Sequence, residues 1–581
     1  MALPQPRRST LRDEPLLRNG FPYHQRLRAH SSCVNALAFS TYDGGRYMAS
    51  GGDDLKVQIW DFHRQDQREP SCSMEGSMAN IFNIAFSATN KYVFSGGADD
   101  RIMQYDFASA TELMARSATP PSLHADARYL EHDASIRDIS CHPYNDEIFM
   151  SASEDGRIVI YDARASSVQG EIQLSSEATG ARFNPTMEHI FATSDKRRLQ
   201  LRDARMAFGG RAGTAFEGRD ARTAFGASWD RGGVVRTFHT RLTRTTKRGR
   251  EICSPEVNSF TFDAEGQSIA ATILHHYPVI YALSDPAPIA VCTSAEIPPE
   301  LGGYSNSCTM KHGSFSGQAS KGKYYAAGSD DFRGYVWRIP SVEELLEGRE
   351  EVRREEGVPE GVIAYAGPGT NSKAYIPVAL TKPVCQLTGH TSIVNSTLFH
   401  PTLPHIATAG IERDVLLHGP TPGSPCVAGL RRSPESKDVR RVGSGEEEGA
   451  MTTRQYLSMV LGIDEVGDGE MGGGEVRDRE VGGGEADVDS GSRAAGGART
   501  DTNGDSSEDA EADASERRTI SMFDYILRRE GHADVWEAED TRVAGSGGLD
   551  SSEEEDSEEE EDDKGETARG SSSDDEMVIE I

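Results

Sequence analysis

The 581-residue sequence has no apolar run near the ~18–20 residues that a membrane-crossing helix needs, so no contact with a membrane is expected. Met1 to Thr10 lack the apolar stretch of about 7–15 residues that marks a secretory signal. The eight cysteines (Cys33, Cys72, Cys141, Cys253, Cys292, Cys308, Cys385 and Cys426) are scattered, with no C-x-x-C pair. That spacing argues against zinc or redox chemistry and predicts reduced thiols in an intracellular, nuclear or cytoplasmic chain. Catalytic motifs are also missing: there is no G-x-S-x-G, no H-E-x-x-H and no Cys/His set at metal-ligand spacing. The nearest approach to a phosphate loop, GQASKGKY at 317–324, puts Tyr324 where a hydroxyl would hold magnesium, and it precedes a strand rather than a helix. His275-His276 is a lone pair in an apolar strand and reads as packing or solvent-facing. No metal, no cofactor and no enzymatic activity are expected.

What is abundant is acid, glycine and a repeat. The formal net charge is −32 and glycine numbers 59. Residues 419–581 hold 17 Lys/Arg and 44 Asp/Glu, against 44 and 49 in the preceding 418 residues. A near-neutral body is thus followed by a strongly acidic tail.

The body repeats itself. RYMASGGDDLKVQIWD (46–61) is an apolar strand, a tight turn and a second strand ending in Trp60-Asp61. The pattern returns at 91–106, 147–162, 189–203, 324–338 and 405–418, with a weaker copy at 267–282, seven in all. Three of the strands before these copies end in a proline corner: ISCHP (139–143), ARFNP (181–185) and TLFHP (397–401). The positions equivalent to Trp60 are Tyr105, Tyr161, Arg202, Tyr281, Trp337 and His418, at spacings of 45, 56, 41, 79, 56 and 81. The shorter spacings match the ~40–45-residue period of the WD repeat, and the longer ones call for insertions. A single four-stranded sheet cannot bury both of its faces, so such units stack radially and close a ring. The expected fold is all-β: a seven-bladed WD40 β-propeller over 26–418, after an N-terminal extension (1–25). In the first unit His30, Ser50, Asp54 and Trp60 occupy the places of the hydrogen-bonded tetrad of the WD family, which makes them structural.

Two insertions interrupt the period. Residues 206–254 carry ten Lys/Arg against four Asp/Glu and contain a small duplication, DARMAFGG (203–210) and DARTAFGA (220–227). A basic, glycine-rich loop with aromatics suits single-stranded nucleic acid, but the plainer expectation is a solvated loop between blades. Residues 340–382 open with SVEELLEGREEVRREE, whose opposite charges at i,i+4, such as Glu350 with Arg354, favour a short exposed helix. In the tail (419–581), SSEEEDSEEEEDD (551–563) typifies a composition that cannot bury enough apolar area to fold. Two amphipathic islands, 452–463 and 520–531, with Trp536 after the second, are expected as short helices docked on the propeller or, as the second choice, on a partner protein.

The third and fourth repeats end in Tyr161-Asp162-Ala163-Arg164 and Arg202-Asp203-Ala204-Arg205. Consecutive WD repeats ending in Asp-x-Arg resemble the docking motif of the cullin-4-associated factors, WD-repeat receptors that bring substrates to cullin-4 RING ubiquitin ligases. NSCTMK (306–311), GSDDFRGYVWRIP (328–340) and LTGHTSIVN (387–395) extend the likeness along the chain. The resemblance implies a non-catalytic receptor for an unknown protein substrate. Asp162, Arg164, Asp203 and Arg205 would face the damaged-DNA-binding adaptor that holds cullin-4 and the RING subunit. Tyr161 and Arg202 depart from the family's tryptophans, and Arg219-Asp220-Ala221-Arg222 is a rival to 202–205. The other reading is a chromatin or RNA-processing scaffold that binds through the basic loop and acidic tail.

Overall fold

In a computed structural model, the structure describes residues 20–64, 69–117, 119–165, 168–208, 232–247, 249–317, 323–353, 357–367, 373–423, 427, 429–442, 451, 456, 505–530 and 535–536. Among the described residues seven sheets follow one another along the chain, each with antiparallel strands built outward from an inner strand. Those of blades 1 and 5 add a parallel edge strand, Ser122–His124 and Val378–Leu380. Blade 1 runs Val34–Phe39, Tyr47–Gly52, Lys56–Asp61 and Cys72–Glu75. Blade 3 runs Ile136–Cys141, Ile148–Ser153, Arg157–Asp162 and Gly170–Gln173, and blade 4 Ala178–Phe183, Ile190–Asp195, Leu199–Asp203 and Val234–Phe238. Blade 7 closes the ring. Its inner three strands are Val394–Phe399, Ile406–Gly410 and Asp414–Gly419, and its fourth is Tyr23–Arg28, paired from Tyr23↔Gly419 to Arg28↔Asp414. That strand begins inside the expected N-terminal extension. Beyond residue 418 the chain also stays on the body, adding Arg431–Arg432 to the edge of the same sheet.

The local sequence explains the shared shape. Six of the seven inner strands carry a register shift after their first residue, as at Val34/Ala36 and Ile81/Asn83, and such a bulge sharpens the twist that a blade needs. The recurrent SGG has a steric reason. A Cβ on Gly52 or Gly97 would lie 1.8 Å from the carbonyl oxygen of Cys33 or Asn80, where the preceding chain enters the blade. The proline corners also share one device, a side-chain acceptor just before the proline that caps the turn. His142 Nδ1 accepts from Tyr144 N (3.2 Å), Asn184 Oδ1 from Thr186 N and Met187 N (2.9 Å each), and His400 Nδ1 from Thr402 N (3.2 Å) and Leu403 N (3.0 Å).

The first insertion departs from the expectation of a solvated loop. Val234–Phe238, inside 206–254, is the outer strand of blade 4. The hairpin Leu242–Thr246/Gly249–Cys253 then joins Ala364–Ala366, Ala374–Ile376 and Glu350–Val352 from the second insertion in an eighth sheet. The two insertions are therefore halves of one structure, tied to blade 5 by His276 Nε2 and Tyr365 Oη at 3.0 Å. A helix does open 340–382, at Val342–Gly348, with Ser341 and Glu344 forming a capping box, but it stops short of Glu350, which begins the strand Glu350–Val352. The duplicated stretch around 219–222 and most of 317–324 and 452–463 lie outside the described residues.

The second tail island is longer than expected, because the helix runs Asp505–Glu530. Its first half, EDAEADASE, is rich in Ala and Glu, good helix formers, and acids near a helix N-terminus favour the macrodipole. Its later residues Ile520, Phe523 and Leu527 pack with Cys33, Phe332, Ile393, Ile411 and Val439 of the body. Among the described residues no helix is long and apolar enough to cross a membrane.

Candidate protein-docking site

An antiparallel blade has two ends. Turns between the first and second strands, and between the third and outer strands, lie at one end, here called the lower face. Second-to-third turns, and the crossings into the next blade, lie at the upper face. Each candidate residue can be placed on this scheme.

The tetrad of blade 1 is buried between these faces. His30 Nδ1 lies 2.9 Å from Asp54 Oδ2, its Nε2 2.8 Å from Ser50 Oγ, and Trp60 Nε1 donates to Ser50 Oγ at 2.9 Å. The same network recurs with other donors. Blade 3 has His132, Asp155, Ser151 and Tyr161, and blade 7 has His390, Glu412, Thr408 and His418. In blade 4 the buried Arg202 takes the tryptophan's place, donating Nε–H to Thr193 Oγ1 (2.8 Å) and Nη1–H to Gly232 O (2.7 Å). Burial pulls its guanidinium down to about 10. These groups spend their polar atoms on each other, so they hold blades together rather than offer chemistry.

Asp162 and Asp203 end the third strands of blades 3 and 4, so both Asp-x-Arg tripeptides emerge on the lower face. The local geometry is the same twice. Asp162 Oδ1 accepts the backbone N–H of Arg164 (3.0 Å), and the carboxylate takes Nε (3.0 Å) and Nη2 (2.7 Å) of that arginine. Asp203 accepts from Arg205 N (2.9 Å), Nε (3.0 Å) and Nη2 (2.6 Å). The hydrogen bond from Arg164 is the main cause that holds the Asp162 carboxyl below the usual range. For Asp203, burial pushes upward and the bonds from Arg205 outweigh it. Each aspartate thus fixes its guanidinium in one orientation while the arginine side chain stays 65% (Arg164) or 51% (Arg205) exposed. A pre-oriented, exposed fork loses little entropy on engaging a partner's carboxylates or carbonyls. Blades 1 and 2 use the position differently: Asp61 is held by Arg46, and Asp106 caps the helix Phe107–Arg116.

The repeat pattern gave no hint of the apolar residues around this pair. Tyr144, in the first turn of blade 3, is 60% exposed, and Met206, one residue past Arg205, is 56% exposed. Tyr42 in the first turn of blade 1 and Leu113 on the helix of blade 2 add two more exposed apolar side chains at this face. Large exposed apolar groups beside arginines are the composition of a protein interface.

The stretch 306–311 is internal, by contrast. Lys311 is fully buried, with Nζ 2.6 Å from Asp330 Oδ1, and Asp330 Oδ2 accepts from Ser307 N (2.5 Å), which knits NSCTMK to the turn of SDDF. At the ring's axis a cavity of about 70 Å³ is lined by Asn35, Asn83, Arg182, His312 and Ser396 among others. Small-molecule sites run to ~300 Å³ and more, so this space suits a few waters.

The profile of the WD domain, G-beta repeat family matches residues 21–61, 68–106, 127–162 and 381–417, each an outer strand of one blade followed by the inner three of the next, here blades 1, 2, 3 and 7. Human DDB1- and CUL4-associated factor 5 is 27% identical over 441 residues, covering 76% of this chain, and the mouse protein is 26% identical over the same length. Protein ALTERED SEED GERMINATION 2 of Arabidopsis thaliana is 31% identical over 146 residues, a quarter of this chain. The chain spans 37% of the length of the human and mouse relatives. The chain carries WD40 repeats folded as the blades of a β-propeller and is similar over three quarters of its sequence to DDB1- and CUL4-associated factor 5.

Proposed function

We propose that this chain is a non-catalytic substrate receptor of a cullin-4 RING ubiquitin ligase, working inside the cell. Its lower face docks the DDB1 adaptor through Asp162, Arg164, Asp203 and Arg205. The observation that carries this reading is the pair of exposed guanidinium forks, each clamped by its own aspartate, on one face of adjacent blades and flanked by Tyr144 and Met206. The similarity to a protein named for association with DDB1 and CUL4 supports it. The chain would contribute proximity alone, since holding a substrate lysine beside a charged ubiquitin-conjugating enzyme raises the effective concentration without chemistry of its own.

The test is affinity purification of the tagged chain beside Arg164→Glu/Arg205→Glu, scored for DDB1 and cullin-4 by mass spectrometry. Recovery by the wild type and loss by a folded double variant is the expected result. If both recover the adaptor equally, these arginines are not its contact. If neither does, the ligase reading fails, and the basic insertion becomes the surface to assay against nucleic acid for a steep salt dependence.

A further inference from the structure

The upper face is already occupied. From the body it presents two arginines above an apolar floor. Arg413, in the second-to-third turn of blade 7, pairs with Asp513 and with Glu516 Oε2 (3.4 Å), and its backbone N–H donates to Glu516 Oε1 (3.1 Å). Only 8% of the Arg413 side chain is exposed. Arg440 holds Asp524 with two bonds (2.6 and 2.9 Å), donates to Thr391 O (2.9 Å) and lies 4.9 Å from the centroid of the Phe332 ring. Between the arginines, Cys33, Ile393, Ile411 and Phe332 come from upper-face turns and crossings of blades 1, 6 and 7.

The helix meets this surface with a single stripe. Asp513, Glu516, Ile520 and the adjacent pair Phe523 and Asp524, then Leu527, are linked by steps of three and four, the period of one helical face. Acids match the two arginines and apolar side chains match the floor, which is the helix-in-groove mode of peptide recognition. Phe332 sits at φ +70°, at the turn position that Leu55 fills at φ +64° in blade 1 and Gly156 at φ +78° in blade 3. The left-handed turn thus belongs to the blade, and in blade 6 it carries a phenylalanine that packs with Leu527.

The occupant follows 443–504 in the chain, and Tyr456 within that stretch stacks on Tyr525 of the helix with ring centroids 4.9 Å apart. Linked modules meet at effective concentrations on the order of millimolar, a level that a helix presented by a bound partner can exceed. We propose that the upper face of blades 6, 7 and 1 is a docking site for acidic amphipathic helices of the form D-x-x-E-x-x-x-I-x-x-F-D-x-x-L, filled in cis by this chain's own helix, and that a partner protein carrying such a helix binds by exchange. The proposal stands apart from the ligase reading, because none of these residues lies on the Asp-x-Arg face.

The probe is a fluorescently labelled synthetic peptide of residues 511–530, titrated against the full chain by anisotropy. In the Asp513→Lys/Glu516→Lys/Asp524→Lys chain the resident helix is disarmed and the face left intact. That chain should bind the peptide at least tenfold more tightly than wild type, and 0.5 M salt should weaken the binding. Adding Arg413→Glu should abolish it, and a peptide carrying Asp513→Arg and Glu516→Arg should restore it. Equal binding by wild-type and disarmed chains, or indifference to Arg413→Glu, overturns the proposal. A second measurement needs no variant: amide exchange over 513–528 in the wild-type chain should quicken when excess unlabelled peptide is added. Unchanged protection would mean a permanent part of the fold and would also sink the idea.

Discussion

The Arg202 guanidinium gives Thr193 Oγ1 the bond that the Trp60 indole gives Ser50 Oγ, at 2.8 Å against 2.9 Å. Blade 4 therefore keeps the geometry of a WD blade with none of its aromatic surface at that point. Arg202 meets the hydroxyl with Nε, and its remaining nitrogens reach Gly232 O and Gln200 Oε1 (2.6 Å). The arginine thereby fastens the entry to the outer strand, Val234–Phe238, which lies within the long insertion.

Removing that fork should be costly. Arg202→Ala leaves Thr193 and the Gly232 carbonyl short of a donor in a buried site, an expected loss of about 2–3 kcal/mol. Arg202→Lys should recover less than half of it, since the three donors of an ammonium leave a single atom and cannot span acceptors spread around a planar fork. Chemical denaturation monitored by fluorescence reads both. A loss under about 1 kcal/mol for the alanine variant would mean that the outer strand does not depend on Arg202.

A second prediction concerns the inner ring. Asp138 of blade 3 receives Arg182 twice (3.0 Å each) and Ala181 N (3.2 Å) from blade 4, and Asn83 Nδ2 (2.8 Å) from blade 2. Burial raises its carboxyl above the ordinary range even with Arg182 opposing. Asp138→Ala strands the Arg182 charge and should destabilise the chain by about 3 kcal/mol or more. Asp138→Ala/Arg182→Leu, which removes both charges, should regain most of that loss. A double variant no more stable than the single one would rule out a stranded charge as the cause.

The third is a pH effect. The His400 ring is packed against Phe39 and Phe62, and its Nδ1 already accepts two backbone N–H groups. Burial, with His405 nearby, lowers its pKa to about 3. The unfolded chain, near 6.5, therefore takes up a proton that the folded chain refuses. Stability should fall as pH drops below 6.5, by about 1.4 kcal/mol per pH unit for this one group, until pH approaches 3. His400→Asn, which copies the acceptor that Asn184 supplies at the equivalent corner, should flatten the slope between pH 6.5 and 5 by that amount. Parallel slopes for the two proteins would assign the acid sensitivity to other histidines.

Phe332 offers a fourth. Phe332→Gly relieves the left-handed turn and deletes the ring that faces Leu527 and Arg440. Amide exchange in 513–528 should accelerate more than tenfold while the strands Tyr324–Gly328 and Gly334–Arg338 keep their protection. Uniform loss of protection across blade 6 would show that the phenylalanine supports the blade itself.

Much of the ring was legible because its signals are local. The strand–turn–strand unit, the SGG turns and the His30–Ser50–Asp54–Trp60 tetrad each fall within about thirty residues. The eighth sheet was not, since Thr243 pairs with Ala364 across 121 positions and neither insertion alone has strand alternation long enough to stand out. The first half of the tail helix was hidden for another reason. Its acids read as a solvated run until the buried Arg413 shows where two of them are neutralised. At the candidate site the arginines could be named from the motif. Tyr144 and Met206 could not, because which apolar residues remain exposed is decided by how the lower-face turns project from their blades.

The pairing of Tyr23–Arg28 with Asp414–Gly419 also sets a clock for biosynthesis. Arg28 and Asp414 are 386 positions apart, so at ~5–20 residues per second the ribosome needs about 20–80 s to deliver the second after the first. Through that interval six blades can form in order while an edge strand at the leading end waits unpaired, the condition in which strands recruit wrong partners. Arg26 and Arg28, both of which end on Asp414, give this strand charged side chains that discourage pairing until the acid arrives.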